Sequence, residues 1–299
     1  MIQSRFPTTN LPQSQFRILV QQFESSMSFA SGTTRHVYMK ALEQLLLFAE
    51  GNQFKFTPED FTQFRLWMLN GRKLSNNTVN TYMTASRRFC EFLVDLGVLH
   101  QNPAWNVHGS AQSFNVTKVS LTEVTHAISR IDRSPLLGKR DYAFLSVMFE
   151  CGATISELIN ADIGDLKRSG EVVELRVKPK GTRGKYEVIK LTKASSSAVC
   201  SYIDARGAVA SDFPLFSRVN AGRATSKRLS FRGARAAMRK RLTIDEKRAL
   251  RLDSLRTYCA VRLMKQGKTS EEIRSLMRFK SNMPFRKIMI NSKAMAEKR

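Results

Sequence analysis

The stretch Cys151–Leu166, CGATISELINADIGDL, marks the point where the chain changes from one pattern to another. Apolar residues recur at helical spacing over 139–152 and again over 155–162, which predicts two helices. Residues 171–192, EVVELRVKPKGTRGKYEVIKLT, then contain two β-rich runs separated by a basic turn with glycines. This pattern predicts a β-hairpin, so helices and a small sheet are expected in one domain.

Most of the remaining chain is predicted to be helical. Helices resume near 192–206, 229–242, 253–266 and 269–279. The first hundred residues contain further helical segments over 36–51, 57–71 and 75–99. The second of these begins with an N-cap, a proline and an acid at Thr57, Pro58 and Glu59. The predicted fold class is mainly α with a small antiparallel sheet (α+β).

A segment without periodicity separates two regions of the chain. Residues 100–119, HQNPAWNVHGSAQSFNVTKV, contain the Pro, Gly, Asn and Ser that are typical of a linker. Ser120 and Glu123 directly after it match a capping box. A chain of 299 residues is long enough for two domains. We therefore expect a helical domain over 1–103, a linker over 104–119 and a second domain over 120–299.

Net charge is the strongest signal in the composition. The chain carries +24 with a pI near 10.4, and residues 223–299 contain 23 Lys/Arg against 6 Asp/Glu, a net of +17. Such an imbalance indicates a polyanionic partner, most commonly nucleic acid. A membrane partner is disfavoured, because the sequence has no run of about 18 apolar residues and no signal-peptide pattern, and no basic amphipathic helix stands alone.

The cysteines and histidines do not predict a metal site. There are four of each, all far apart, and no C-x-x-C pair occurs. Buried reduced thiols in a cytoplasmic protein are the better interpretation. No metal or other cofactor is expected.

The order of these segments resembles the tyrosine recombinase (phage integrase) family. The resemblance includes the helical domain, NPAWNV at 102–107, CGATISEL at 151–158, the basic hairpin and LDSLRTYCAVRLMKQG at 252–267. It runs from about Ser31 to Ile290. It implies a SAM-like core-binding domain and a catalytic-type domain that close on duplex DNA as a C-shaped clamp. It also implies a bacterial, phage or plasmid protein associated with the nucleoid.

In that family the first motif reads G-L-R-x-S-E-L, and its arginine clamps the scissile phosphate. This sequence matches at Gly152, Ser156, Glu157 and Leu158, but has Thr154 in place of the arginine. Glu157 and Asp162 could form a carboxylate pair for a metal. That interpretation has little weight, because the family uses this glutamate structurally and needs no metal.

The later motifs depart from the family pattern as well. The general-acid lysine of the hairpin falls on Lys180, and H-x-L-R-H becomes DSLRT, with Arg256 retained. The L-G-H or L-G-W box becomes Met277–Phe279. The replaced positions are Thr154, Asp253, Thr257, Phe279 and, where the nucleophilic tyrosine is expected, Ile288.

These departures predict a protein that is not an enzyme. The last histidine in the sequence is His126 and the last tyrosine is Tyr258, only two residues after Arg256. Loss of one preorganised donor typically costs about 100- to 1000-fold in rate, and an absent nucleophile removes the covalent route. Asp253 beside a phosphate would add like-charge repulsion.

DNA binding is the activity that remains. Phosphate contacts are expected from Arg72, Lys73, Lys180, Arg183, Lys185, Lys227, Arg228, Arg232, Arg235 and Arg256. Asn pairs with adenine and Arg with guanine in the major groove, so base contacts are expected from Asn76, Asn77, Asn80, Thr84, Arg87 and Arg88, with a plain polar face as the alternative. Trp67, Trp105, Phe144 and Phe149 are interpreted as core packing.

The leading hypothesis is therefore a sequence-specific double-stranded DNA-binding protein with an inactive recombinase fold. It would act in maintenance or partition of a mobile element or plasmid, in transcriptional control, or beside an active recombinase, as a homo-oligomer on DNA. A divergent recombinase that uses a nucleophile from another protein is one alternative. An RNA-binding protein is another, disfavoured because the A-form major groove is too narrow for a helix.

Overall fold

The computed structural model describes residues 11–107, 109, 119–179, 186–245, 248, 250–279 and 282–296. The chain divides into two compact units, Met1–Ser113 and Phe114–Arg299, and the division falls within the predicted linker. In the described part of the chain, no helix is both long and apolar enough to cross a membrane.

In the described part of the first unit, every element of regular secondary structure is a helix. It contains α1 (Gln13–Ser26), α2 (Gly32–Glu50), α3 (Pro58–Leu66), a π-helical turn (Trp67–Gly71) and α4 (Asn76–Asp95). Thr57 and Asp60 form a capping box at the start of α3, as the Thr-Pro-Glu-Asp sequence favours. Its core is an aromatic cluster of Phe16, Phe23, Phe48, Phe54, Phe56, Phe61, Phe64 and Phe89.

The second unit surrounds one buried helix, α6 (Leu136–Cys151), which is preceded by α5 (Leu121–Ser129) and followed by α7 (Ile155–Asn160). The side chains of Phe144, Val147 and Met148 are fully buried. The later helices are α8 (Lys193–Arg206), α9 (Phe231–Arg241), α10 (Leu255–Lys265), α11 (Ser270–Leu276) and α12 (Asn282–Ala296). α12 packs on α10 and α11 through a small separate cluster that includes Met277 and Ile288.

The predicted hairpin is confirmed as β2 (Val172–Val177) and β3 (Glu187–Lys190), which pair antiparallel. A strand that the sequence did not predict, β1 (Leu166–Ser169), extends them to a three-stranded sheet. A second unpredicted hairpin joins β4 (Ser217–Asn220) and β5 (Arg223–Arg228). The fold class of mainly α with small antiparallel sheets is therefore confirmed.

The prediction that four aromatic side chains pack in the core is correct for three of them. Phe144 and Phe149 are buried, and Trp67 packs against Phe48 with ring centroids 5.6 Å apart. It is wrong for Trp105, whose side chain is 65% exposed. Trp105 lies in a turn after α4 rather than on a helix face, so helical spacing gave no information about its burial.

Candidate nucleic-acid interface

The turn between α6 and α7 shows what Thr154 does in place of an arginine. Gly152 ends α6 in the left-handed conformation, with φ 61°. Thr154 is the N-cap of α7: its hydroxyl accepts from the backbone N–H of Glu157 at 3.1 Å, and the Glu157 carboxylate accepts from the N–H of Thr154 at 2.6 Å. A hydroxyl at this position therefore satisfies a helix end, which an arginine side chain does less well.

A guanidinium reaches this turn from a different part of the chain. Arg278 follows α11 and donates from Nε to the Glu157 carboxylate at 3.1 Å, and the two side chains are only 5% and 4% exposed. Its other nitrogens donate to the carbonyls of Gly152 at 3.2 Å and Leu276 at 2.8 Å. Burial acts to raise the pKa of Glu157, but Arg278 and the Thr154 N–H outweigh it and hold that pKa below its usual value.

Sequence reasoning missed Arg278, although one signal for it was present. Arg278 occupies the middle position of the Met277–Phe279 box, where the family pattern has glycine. The residue has φ 56°, a left-handed conformation that glycine adopts without strain and other residues rarely adopt. A charged residue at a glycine position was therefore a sign of a specific contact.

The phosphate contact of Arg256 stays a prediction, and the structure shows which groups of the protein this side chain binds. Its terminal nitrogens donate to the carbonyls of Gly152 at 2.6 Å and Met277 at 2.8 Å, and its guanidinium lies 4.5 Å from the centre of the Phe279 ring. Burial lowers the pKa of Arg256 to about 10, so the side chain remains charged near neutral pH. Arg256 thus ties α10 to the Gly152 turn.

The other motif positions differ in their surroundings. Asp253 is exposed, Thr257 is buried, and Ile288 is packed in the cluster beneath α12. Tyr258 is fully buried and donates its hydroxyl to the carbonyl of Val119 at 2.6 Å. Lys180, together with Arg183 and Lys185, lies outside the described residues.

The arginines of α9 form a basic surface on the second unit. Arg232 and Arg235 are exposed, as predicted, and they line a groove of about 570 Å³ together with Arg239 and Arg251, which the sequence reasoning did not select. Between the arginines the helix has Gly233, Ala236 and Ala237 at its surface, whereas Ala234 and Met238 are buried. A helix with small side chains between cations can approach a polyanion closely. Lys227, on β5, is exposed as well.

Arg228, another predicted phosphate contact, is also bound to groups of the protein. It donates to the carbonyls of Ile159 at 2.7 Å and Ala161 at 3.1 Å, and it pairs with Asp162. Its guanidinium therefore joins β5 to the end of α7. Glu157 and Asp162 are each paired with an arginine, and no three His, Cys, Asp or Glu side chains of the described residues are grouped as metal ligands.

The predicted base-reading face of α4 is partly covered by the chain that follows it. Arg87 donates to the carbonyls of Ala104 at 3.1 Å and Val107 at 2.7 Å, so its guanidinium is bound to the protein here, and its base contact stays a prediction. Asn80 lies against Gly109, where an added Cβ would meet the Asn80 Oδ1 at 2.2 Å. Asn76 is half-buried beside the same flank.

The adjacent face of α4 remains open to solvent. Its exposed residues are spaced at helical intervals and form one polar stripe of Asn77, Thr81, Thr84 and Arg88. Arg88 pairs with Glu91 at 2.7 Å, an exposed contact of little energetic weight. Arg72 and Lys73, just before α4, are exposed as predicted. The open face is thus rotated by about one residue from the predicted one.

Arg87→Ala is expected to destabilise the first unit by about 1.5–3 kcal/mol, because two carbonyls lose a charged donor. Arg88→Ala, one residue later and exposed, should change stability by less than about 0.5 kcal/mol. Thermal unfolding followed by tryptophan fluorescence measures this unit, since both tryptophans lie in it. Equal melting of the two variants would contradict the structural role of Arg87.

Comparisons with known proteins agree with this geometry. A model of the phage integrase family matches residues 119–284. Tyrosine recombinase XerC of Shewanella oneidensis is 25% identical over 227 residues, 74% of this chain and 71% of the relative. XerC of Neisseria meningitidis is 26% identical over 206 residues, 67% of each chain.

Two solved structures share the fold. An integrase of transposon Tn1549 in complex with transposon right end DNA has a TM-score of 0.69 at 13% identity, covering 94% of this chain and 98% of that one. The XerH recombinase bound to a palindromic difH substrate has a TM-score of 0.68 at 16% identity, covering 96% and 83%. The family model spans more than half of the sequence, and the chain belongs to the phage integrase family of tyrosine recombinases.

Proposed function

We propose that this chain is a sequence-specific double-stranded DNA-binding protein that retains the recombinase fold and does not cleave DNA. The proposal rests on the side chain at position 288, where the family pattern has its nucleophilic tyrosine. Ile288 is an aliphatic side chain packed against α10 and α11. The last tyrosine of the sequence, Tyr258, is buried with its hydroxyl bonded to Val119, and burial raises the pKa of that phenol.

The surroundings of the motif support the same conclusion. Phosphoryl transfer depends on cations positioned around the non-bridging oxygens. Here Arg278 and Arg256 both donate to the carbonyl of Gly152, and Arg278 is paired with Glu157. The two guanidiniums are held by the protein itself, and the sequence has no histidine after His126 to act as a base.

DNA binding is supported by charge and by the relatives. The groove lined by Arg232, Arg235, Arg239 and Arg251 offers four cations on one surface of the second unit. The polar stripe of α4 offers an amide and two hydroxyls for base edges. The solved structures of similar fold include a lambda integrase dimer bound to a core site and a transposon integrase with transposon DNA. A protein of this kind would serve plasmid or mobile-element maintenance, transcriptional control or an active recombinase as an accessory.

On a nicked suicide substrate that carries the preferred site, no covalent protein–DNA adduct is expected. The site is first obtained by selecting bound fragments from a random duplex pool. Denaturing electrophoresis then detects adducts, with an active tyrosine recombinase on its own substrate as the positive control. A stable 3′-phosphotyrosyl adduct with this chain would contradict the proposal. An adduct on an added second recombinase, formed only when this chain is present, would favour the alternative of a divergent recombinase that uses a nucleophile from another protein.

A further inference from the structure

Trp105 is the most exposed large apolar residue in the described part of the chain. Its side chain is 65% exposed, whereas the next most exposed large apolar residues reach 53%. The other tryptophan, Trp67, packs on Phe48 and Phe64. An exposed indole does not stabilise the fold, because the free energy that burial of its apolar surface would provide is not gained.

The backbone on both sides of Trp105 is fixed. We call residues Asn102–Val107 the strap. Pro103, Ala104 and Val107 are buried against the first unit, and Arg87 donates to the carbonyls of Ala104 and Val107, which flank the exposed pair Trp105 and Asn106. Within the strap, the Trp105 N–H donates to the Asn102 carbonyl at 3.3 Å.

Asn102 completes the attachment of the strap to α4. Its side-chain amide donates to the Arg87 carbonyl at 2.9 Å, and its Oδ1 accepts from the N–H of Ala104 at 3.1 Å. The Arg87 side chain therefore holds the backbone of the strap, and the Asn102 side chain holds the backbone of α4. The indole is presented from a rigid support, so little conformational entropy is lost when it binds a partner.

The strap is attached to α4 through Arg87, next to the open stripe. Thr84, a residue of the stripe, lies three residues before Arg87. Side chains three residues apart on a helix are separated by about 5–6 Å. The strap that carries the indole is thus anchored at the edge of the surface that the proposed function assigns to DNA.

We propose that Trp105 contacts the duplex bound by the first unit, placing its ring against a deoxyribose or base edge and its indole N–H towards a phosphate oxygen. This inference rests on the proposed DNA-binding function. The residues around Trp105 favour DNA over a protein partner. Gln101 and Asn106 are exposed and polar, whereas the centre of a protein–protein interface is a contiguous apolar patch. An indole combines an apolar ring with a single donor, which suits the mixed surface of a sugar–phosphate backbone.

Acrylamide quenching of Trp105 fluorescence tests the contact directly. The full chain carrying Trp67→Phe has Trp105 as its sole tryptophan. We expect a random-sequence duplex at low salt to reduce the quenching constant at least twofold, while fluorescence anisotropy of the labelled duplex reports binding independently. If Trp67→Phe does not fold, the difference between the unmodified chain and Trp105→Phe provides the same quantity.

The second test compares the duplex affinity of Trp105 variants. Trp105→Ala is expected to weaken duplex binding by about fivefold or more, the effect of truncating an interface aromatic that contributes to binding, with an unchanged melting temperature. Trp105→Phe should keep most of the affinity. Leu96→Ala, at an exposed apolar residue at the end of α4, is the matched control and should bind as the unmodified chain does.

The outcomes separate this inference from the proposed function. If the duplex binds but neither the quenching constant nor the affinity of Trp105→Ala changes, the inference is overturned and DNA binding stands. If the quenching constant falls as the protein concentration rises in the absence of DNA, a second copy of the chain covers Trp105, and the inference is likewise overturned. If no duplex binds at low salt, the proposed function itself fails.

Discussion

Glu157→Gln is expected to lower the free energy of unfolding of the second unit by about 3–5 kcal/mol. Glutamine is nearly isosteric and keeps an oxygen for the N–H of Thr154, so the helix cap is retained. It removes the charge that pairs with Arg278, whose side chain is 5% exposed. A buried guanidinium left without its anion carries most of its desolvation cost.

The chain offers a matched control for this substitution. Glu272 occupies the same position in the capping box of α11 and also accepts from a cation, Lys268, but that pair is more than 40% exposed. Glu272→Gln should therefore cost less than about 1 kcal/mol. Arg278→Met combined with Glu157→Gln should cost clearly less than the sum of the two single changes. Additive effects in chemical denaturation would contradict a direct buried pair.

The same pair predicts a dependence of stability on pH. Because the folded-state pKa of Glu157 is lowered, its contribution is present above the unfolded pKa of about 4.3 and is lost as pH falls through the folded value. Glu157→Gln removes this titration. The unmodified chain should thus lose more stability on acidification than the variant does, and the two unfolding curves should converge at low pH.

DNA affinity is expected to fall steeply with salt, with a slope of log K against log salt of about −5 or steeper for six or more phosphate contacts. Replacing Arg232, Arg235 and Arg239 together by alanine should reduce the magnitude of that slope by about two to three. These three side chains line the basic groove of α9. Their loss should weaken binding to all duplexes alike, because phosphate contacts carry no sequence information.

A charge-matched variant controls for the loss of net charge. Lys167, Arg168 and Lys193 are exposed cations of the same unit, and the first two lie on β1, at the end of the sheet opposite the β2–β3 turn. Their triple alanine variant should bind with a nearly unchanged slope. If both triple variants reduce the magnitude of the slope equally, DNA affinity depends on the net charge of the chain and not on the α9 groove. A slope near zero for the unmodified chain would exclude a phosphate-tracking surface.

The sequence predicted most of the elements whose pattern arises from burial. Most helices and the β2–β3 hairpin have one buried and one exposed face, so the spacing of their apolar residues is visible. α1 and α12 were not among the predicted helices, although α1 buries Phe16, Leu19, Val20 and Phe23. The β4–β5 hairpin has little apolar alternation, and it turns through Ala221 and Gly222, both at positive φ. Both residues of that turn must adopt the left-handed conformation, and an alanine in the sequence does not indicate this conformation.

At the candidate site, replaced residues could be recognised from the sequence, but the partners of the retained ones could not. Thr154 and Ile288 were identifiable because the family resemblance fixes their positions. Arg87 and Arg228 have the appearance of surface cations in a basic chain. A guanidinium on a long flexible stem can instead reach carbonyls far along the sequence, and Arg228 reaches one 69 residues away. Such contacts depend on tertiary structure alone.

The carbonyl of Gly152, shared by Arg256 and Arg278, couples position 154 to position 278. An arginine at position 154 would remove the N-cap of α7, which typically costs about 0.5–2 kcal/mol. It would also bring a third cation to a turn whose one buried carboxylate, Glu157, is already paired. A glycine at position 278 would leave that carboxylate unpaired. Each single change is therefore expected to lower the stability of the fold, so the two positions are expected to tolerate the residues of the family pattern only when both change together.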